Sequence, residues 1–200
     1  MCLARTTRAA ERLGVDLDIC VTAGASVVNE ARNLVLHFFL QTQADYLFWV
    51  DSDITWRTSD FFKMLRHSTI HGIVMAAYPA KTDSAPFKFE LTGELPTDGL
   101  YPARSGGLGF TIMPRSVVEQ LADLAPRVDI GDERDVADVF RIDRVVVDGR
   151  RTARGEDNAL FADLQRLGHT VWLDPEVQLG HVGSKVYAAD PRIGLRLNGE

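Results

Sequence analysis

Cysteine is almost absent from these 200 residues, Cys2 and Cys20 being the only two. Two thiols cannot build a disulfide framework, and their spacing does not suit a metal site. Positive charge is also scarce, with 22 Lys and Arg against 28 Asp and Glu and a formal charge of −6. Affinity for a phosphate backbone needs clustered cations, so nucleic acid is not expected as a partner. Long apolar runs are missing as well: residues 34–40 are interrupted by His37, and a bilayer span needs about 20 apolar residues. The opening residues MCLARTTRAAERLG contain no apolar core of a signal peptide. No transmembrane segment and a cytoplasmic setting are therefore expected. An anionic ligand would have to be held locally, by a metal ion or a few basic side chains.

What is present suffices for one core. Hydrophobic residues make up 46% and charged residues 25%, ordinary for a globular domain of this length, so residues 1–200 are expected to form a single domain. A helix ending at Gly14 precedes a strand at residues 17–21. Gly24, Ala25 and Ser26 then open a second helix, with Ser26 as N-cap and Val27, Ala31, Leu34, Val35 and Phe38 on its buried face. Residues 46–50, YLFWV, form a continuous apolar run that suits an interior strand covered on both faces. The pattern continues with a helix at 59–67 and a strand at 72–77. A proline-containing loop spans 81–104, with a short strand at 87–91. Next come a strand at 110–113 and a helix from Pro114 to residue 124. Residues 127–138 read as a charged surface loop and 140–147 as extended. A helix at 157–167 stops at Gly168, and short strands follow at 171–173 and 177–181. Alternating strands and helices predict an α/β domain with a mostly parallel central sheet and helices on both faces. Ligands of such sheets collect beyond the carboxyl ends of the strands.

Asp51 and Asp53 lie at such an end. Two carboxylates one residue apart, on a turn leaving an apolar strand, can converge on one hard cation. Mg2+ or Mn2+ there would bridge diphosphate oxygens and neutralise charge on a leaving group; the plainer reading is a pair of solvated turn acids. Gly155-Glu156-Asp157 begins an amphipathic helix, where an acid serves either as a helix cap or as a general base removing a proton from an attacking hydroxyl. His181, between Gly180 and Gly183 at a strand end, suits a third metal position, since imidazole binds Mn2+ and other transition metals. Lys81 and Lys185 carry point charges that could meet phosphate oxygens. Trp56 reads as a packing residue.

In this order YLFWVDSDI, GGLGFTIMPRSVVEQL and GEDNALFADLQRLGHTVWLDPEVQLGHVGS resemble the GT-A glycosyltransferases, in particular bacterial and phage relatives of the large inverting family 2-like group. The resemblance implies a nucleotide-diphospho-sugar transferase fold, lacking here its usual first strand because the chain starts in the helix that should follow it. It implies a metal-dependent transfer of a sugar from a uridine or guanosine diphosphate donor to a saccharide or other hydroxyl acceptor, with inversion. Asp53 would bind the metal directly and Asp51 the metal or donor ribose, with His181 as third ligand. Asp157 would be the catalytic base, and Glu156 would face a sugar. Arg32 and Asn33 resemble an element near the nucleotide, and Gly106 and Gly107 begin a segment on the acceptor side.

Two other readings compete. WVDSDIT matches the signature of haloacid-dehalogenase-like phosphatases, with Asp51 as nucleophile and Asp53 as acid/base, although Ala77-Tyr78 stands where a strand-end Ser or Thr is needed. A non-catalytic sugar-nucleotide binding module would need no base, so Glu156-Asp157 counts against it.

Overall fold

The computed structural model describes residues 2–22, 27–84, 86–130 and 135–197. Helix α1 (Cys2–Leu13) ends at Gly14, whose φ of 67° gives the left-handed stop that glycine permits. Helix α2 (Val28–Leu40), strands β1 (Tyr46–Val50) and β2 (Ile54–Thr55), and helix α3 (Thr58–His71) follow. Strands β3 (Ile73–Met75), β4 (Phe89–Leu91), β5 (Tyr101–Gly106) and β6 (Phe110–Pro114) come next, and Pro114 caps helix α4 (Arg115–Leu124). Beyond it lie β7 (Arg127–Asp129), β8 (Asp135–Ala137), β9 (Asp143–Val147) and β10 (Arg150–Arg154). Helix α5 (Glu156–Arg166), strands β11 (Val171–Leu173), β12 (Gly180–Val182) and β13 (Val186–Ala188), and helix α6 (Arg192–Leu197) complete the order. No helix among the described residues is long and apolar enough to cross a membrane.

Contacts divide the chain into two compact units. One comprises Met1–Asp18, Phe48–Met113 and Thr170–Glu200; the other comprises Ile19–Leu47 and Pro114–His169. The first carries a six-stranded sheet in the order β1-β6-β3-β11-β5-β4. Strands β3 and β11 pair in parallel, whereas β6 with β3, β11 with β5, and β5 with β4 are antiparallel. The sheet is therefore mixed, which corrects the expectation of a mostly parallel one. The connection from β4 to β5 is a loop, not a helical crossover, and loops of that kind join antiparallel neighbours. It also places Pro102 inside β5, where a loop was expected through residue 104.

Strand β1 has the expected bounds but stands at the edge of this sheet among the described residues, and its burial alternates, with Leu47 and Trp49 inside. Its apolar run thus does not mark an interior strand. Ile73, Val74, Met75, Phe110, Ile112, Val171 and Leu173 are buried in the sheet, and α3 buries Phe61 and Met64. Phe48 stacks on Phe61 and meets Phe110 edge-on, with ring centroids 4.6 and 4.8 Å apart. A second sheet, β13-β12-β2, is antiparallel.

The second unit holds α2, α4, α5 and two antiparallel ribbons. Residues 127–138 are not simply a loop, since β7 pairs with β8 and buries Val136 and Ala137. The β9–β10 hairpin turns on Asp148-Gly149, both at positive φ, the pairing that a two-residue hairpin turn favours. Two helical expectations also change. The buried residues of α2 are Arg32, Asn33, Leu36 and Phe39, while Val27 and Phe38 are exposed; polar partners, not an apolar stripe, decide which face turns in. The residue preceding α2 is Val27, without a side-chain cap, and Ser26 lies outside the described residues. Residues 17–21 form no strand, and Val21 is 77% exposed.

Candidate functional site

Strand β1 delivers the chain into a tight turn in which the Ile54 amide donates to the Asp51 carbonyl, 3.1 Å away. Beyond the turn, β2 pairs with β12, setting Ile54 opposite His181, and the Val182 amide donates to the Asp53 carbonyl at 2.7 Å. This pairing brings His181 to Asp53 despite their separation in sequence: His181 Nε2 stands 3.4 Å from Asp53 Oδ2. The other ring nitrogen, Nδ1, lies 2.8 Å from the Pro79 carbonyl oxygen. A carbonyl only accepts, so Nδ1 carries the hydrogen and Nε2 is turned to the carboxylate. The pair is satisfied by a cation between the two atoms, either a proton on Nε2 or a metal ion. Backbone-held imidazoles of this kind are common among metal ligands. The Lys81 ammonium donates to the same Oδ2 at 2.5 Å. Burial pushes the Asp53 carboxyl pKa upward, but the hydrogen bond from Lys81 and the positive charges of His181 and Lys81 outweigh it and hold it below its ordinary 3.8.

Tyr78 forms the wall of this cluster. Its ring meets the His181 imidazole edge-on at 5.1 Å, and its hydroxyl accepts from the Gly109 amide at 3.3 Å. The glycine segment is shaped by that ring. A Cβ on Gly107 would run into the Tyr78 hydroxyl, and one on Gly109 would stand 2.6 Å from Asp51 Oδ2 and 2.9 Å from the Tyr78 ring. Gly107 is thus needed for close approach, while Gly106 ends β5. The Asp51 carboxylate lies against Gly109, whose carbonyl also accepts from the Asp51 amide at 2.9 Å. Lys185 is exposed and pairs with Asp83 at 2.5 Å. Trp56 donates from its indole to Thr6 at 3.0 Å and packs near Phe110, which is the packing role expected of it.

The other acids lie in the second unit. Gly155 is the N-cap of α5, so Glu156 and Asp157 occupy its first turn and neither is the cap. Arg32, only 7% exposed, bonds Asp157 Oδ1 and stands 3.6 Å from Glu156 Oε1. Its guanidinium also lies over the Phe140 ring at 5.8 Å. Asn33 uses both ends of its amide, donating to Asp138 at 2.7 Å and accepting from the Phe140 amide at 2.9 Å. It therefore pins residues 138–140 to α2.

Among the described residues, no three or more His, Cys, Asp or Glu side chains gather closely enough to hold a metal ion. Asp53 and His181 meet; Asp51 belongs to the same turn but rests against Gly109. The carboxylate–imidazole pair nevertheless fits a divalent cation. Two neighbouring ligands at about 2.1 Å from one octahedral ion stand roughly 3 Å apart, and Mg2+ takes only one or two carboxylates plus phosphates and water. Sequence reasoning missed Tyr78 and the Pro79 carbonyl. Gly107 and Gly109 belong to the segment expected on the acceptor side, and nothing in that expectation pointed to the Tyr78 ring that lies on them.

No family model matches the chain, and no curated protein matches it. Among solved structures, the crystal structure of A197 from STIV matches with a TM-score of 0.57 at 19% identity, covering 92% of this chain and 81% of that one. That likeness shows a shared fold. The expected membership of the inverting family 2-like glycosyltransferases does not hold: the likeness found is a fold match at 19% identity to A197 from STIV, over a mixed sheet. Within the stretches that suggested it, few positions carry chemistry, and acids at a strand end or in a helix's first turn also arise for structural reasons.

Proposed function

We propose that the chain is a metal-dependent glycosyltransferase that moves a sugar from a nucleotide-diphosphate donor to an acceptor hydroxyl. The observation that carries this reading is the orientation of His181, whose Nδ1 is committed to the Pro79 carbonyl so that Nε2 and Asp53 Oδ2 face each other 3.4 Å apart. In this reading the pair holds Mn2+ or Mg2+, with Asp51 as a further ligand or a contact to the donor. The ion would screen the diphosphate as negative charge builds on it. Lys81 and Lys185 would supply further positive charge to phosphate oxygens. Asp157 is assigned the proton-removing role, with Arg32 as the group that orients it, in the manner of a base held by a third residue. Glu156, on the same guanidinium, would face a sugar. The reading rests on site chemistry and not on family membership.

The test is to measure donor affinity and transfer on the same variant. Asp157→Asn keeps the side-chain shape and removes the basicity. With uridine or guanosine diphosphate sugars as donors, affinity should survive while transfer falls by roughly a hundred- to ten-thousand-fold. Transfer at the wild-type rate would make Asp157 structural. Release of phosphate from a generic phosphoester, without nucleotide diphosphate release from any sugar nucleotide, would replace the transferase reading with a phosphatase.

A further inference from the structure

Asp53 Oδ2 is approached by two groups, the Lys81 ammonium at 2.5 Å and His181 Nε2 at 3.4 Å. A divalent ion seated between the carboxylate and the imidazole needs the oxygen that the ammonium already holds. Both are cations and both want the same acceptor, so they compete. Lys81 also has room to leave. Its side chain is half-exposed, and its stem runs beside Gly183, where a Cβ would stand 3.3 Å from Lys81 Cδ. A larger residue at 183 would press on that path.

We propose that Lys81 is a tethered cation that fills the metal's place on Asp53 and swings to the ligand's phosphates when the metal enters. The inference rests on the metal-dependent reading of this site. Lys81 then couples two ligands. The metal alone must displace the ammonium and leave it without its carboxylate. When a diphosphate is also present, the displaced ammonium gains new acceptors. Metal and diphosphate therefore bind more tightly together than either does alone, and the coupling is reciprocal.

The test is Mn2+ binding to the full chain, followed by the paramagnetic signal of free Mn2+, with and without uridine diphosphate. Wild type, Lys81→Met, Lys81→Arg and Asp53→Asn are compared. An exposed ion pair is a modest competitor, so Lys81→Met should bind Mn2+ about two- to fivefold more tightly without nucleotide. The gain in Mn2+ affinity on adding uridine diphosphate should also be smaller than in wild type. Lys81→Arg retains a cation there and should keep the weak Mn2+ affinity of wild type. If Asp53→Asn abolishes Mn2+ binding while Lys81→Met binds as wild type does, or more weakly, the competition is overturned and the metal site stands. If no variant, wild type included, binds Mn2+ even with nucleotide, the metal reading and the competition fall together.

Discussion

Arg32 offers the sharpest test of how the second unit is held. Its side chain is 8% exposed, bonds Asp157, stands 3.6 Å from Glu156 and lies over Phe140. Arg32→Met keeps most of the apolar stem and removes the charge, leaving two carboxylates on the first turn of α5 without their guanidinium. Removing one partner of a fully buried ion pair costs roughly 3–5 kcal/mol. Here the full figure does not apply, because the Glu156 and Asp157 side chains keep 22% and 29% exposure. The helix N-terminus also stabilises negative charge by about 0.3–1 kcal/mol. The expected loss is therefore about 1–3 kcal/mol, or a fall of roughly 3–10 °C in melting midpoint for a chain of this size. A double-mutant cycle with Asp157→Asn isolates the cause. Once the Asp157 charge is gone, Arg32→Met should cost less, with a coupling on the order of 1 kcal/mol. A midpoint shift within about 1 °C together with an additive double mutant would refute the reasoning.

Other consequences are equally direct. Gly107→Ala should destabilise the chain by about 1–3 kcal/mol, because the new methyl meets the Tyr78 hydroxyl. Adding Tyr78→Phe should recover part of that loss in thermal denaturation, and no recovery would mean that the clash lies elsewhere. Burial raises the Asp143 carboxyl pKa, but the hydrogen bond from Arg154 and the charges of Arg141 and Arg154 bring it below the ordinary 3.8. A depressed folded-state pKa contributes stability above the unfolded value and loses it as the pH falls through the folded one. Urea midpoints should thus fall on acidification below about pH 4, and Asp143→Asn should flatten that fall; an unchanged acid limb would contradict it.

The local elements were legible where one residue type carries the instruction. Strand β1 was readable from YLFWV, and α5 from its apolar spacing and the Gly168 stop at φ 80°. The β9–β10 hairpin was also within reach, since Asp148-Gly149 is a hairpin signal. Pairing was not legible: nothing in YLFWV says that its strand lies at a sheet edge, and nothing in 17–21 says that Ile19 and Val21 stay exposed. In α2, periodicity of apolar residues chose the wrong face, because Arg32 and Asn33 are buried by partners more than a hundred residues away. Around Asp53, the acids and His181 could be picked out by position alone. Their meeting depends on β2 pairing with β12, and the role of Lys81 depends on which carboxylate its flexible stem reaches.

In the proposed function, Asp53 and His181 seat a metal ion that holds a nucleotide diphosphate. Calorimetric titration of uridine and guanosine diphosphate into the chain, with Mn2+ and then with the metal chelated, tests it most directly when Asp53→Asn is run alongside. At least one of them should bind the wild type in a metal-dependent way, and in Asp53→Asn with Mn2+ present the affinity should be no better than the chelated level, because a charged oxygen ligand has been replaced by a weaker neutral one. Binding that is the same with and without metal, or unchanged in Asp53→Asn, would contradict this reading.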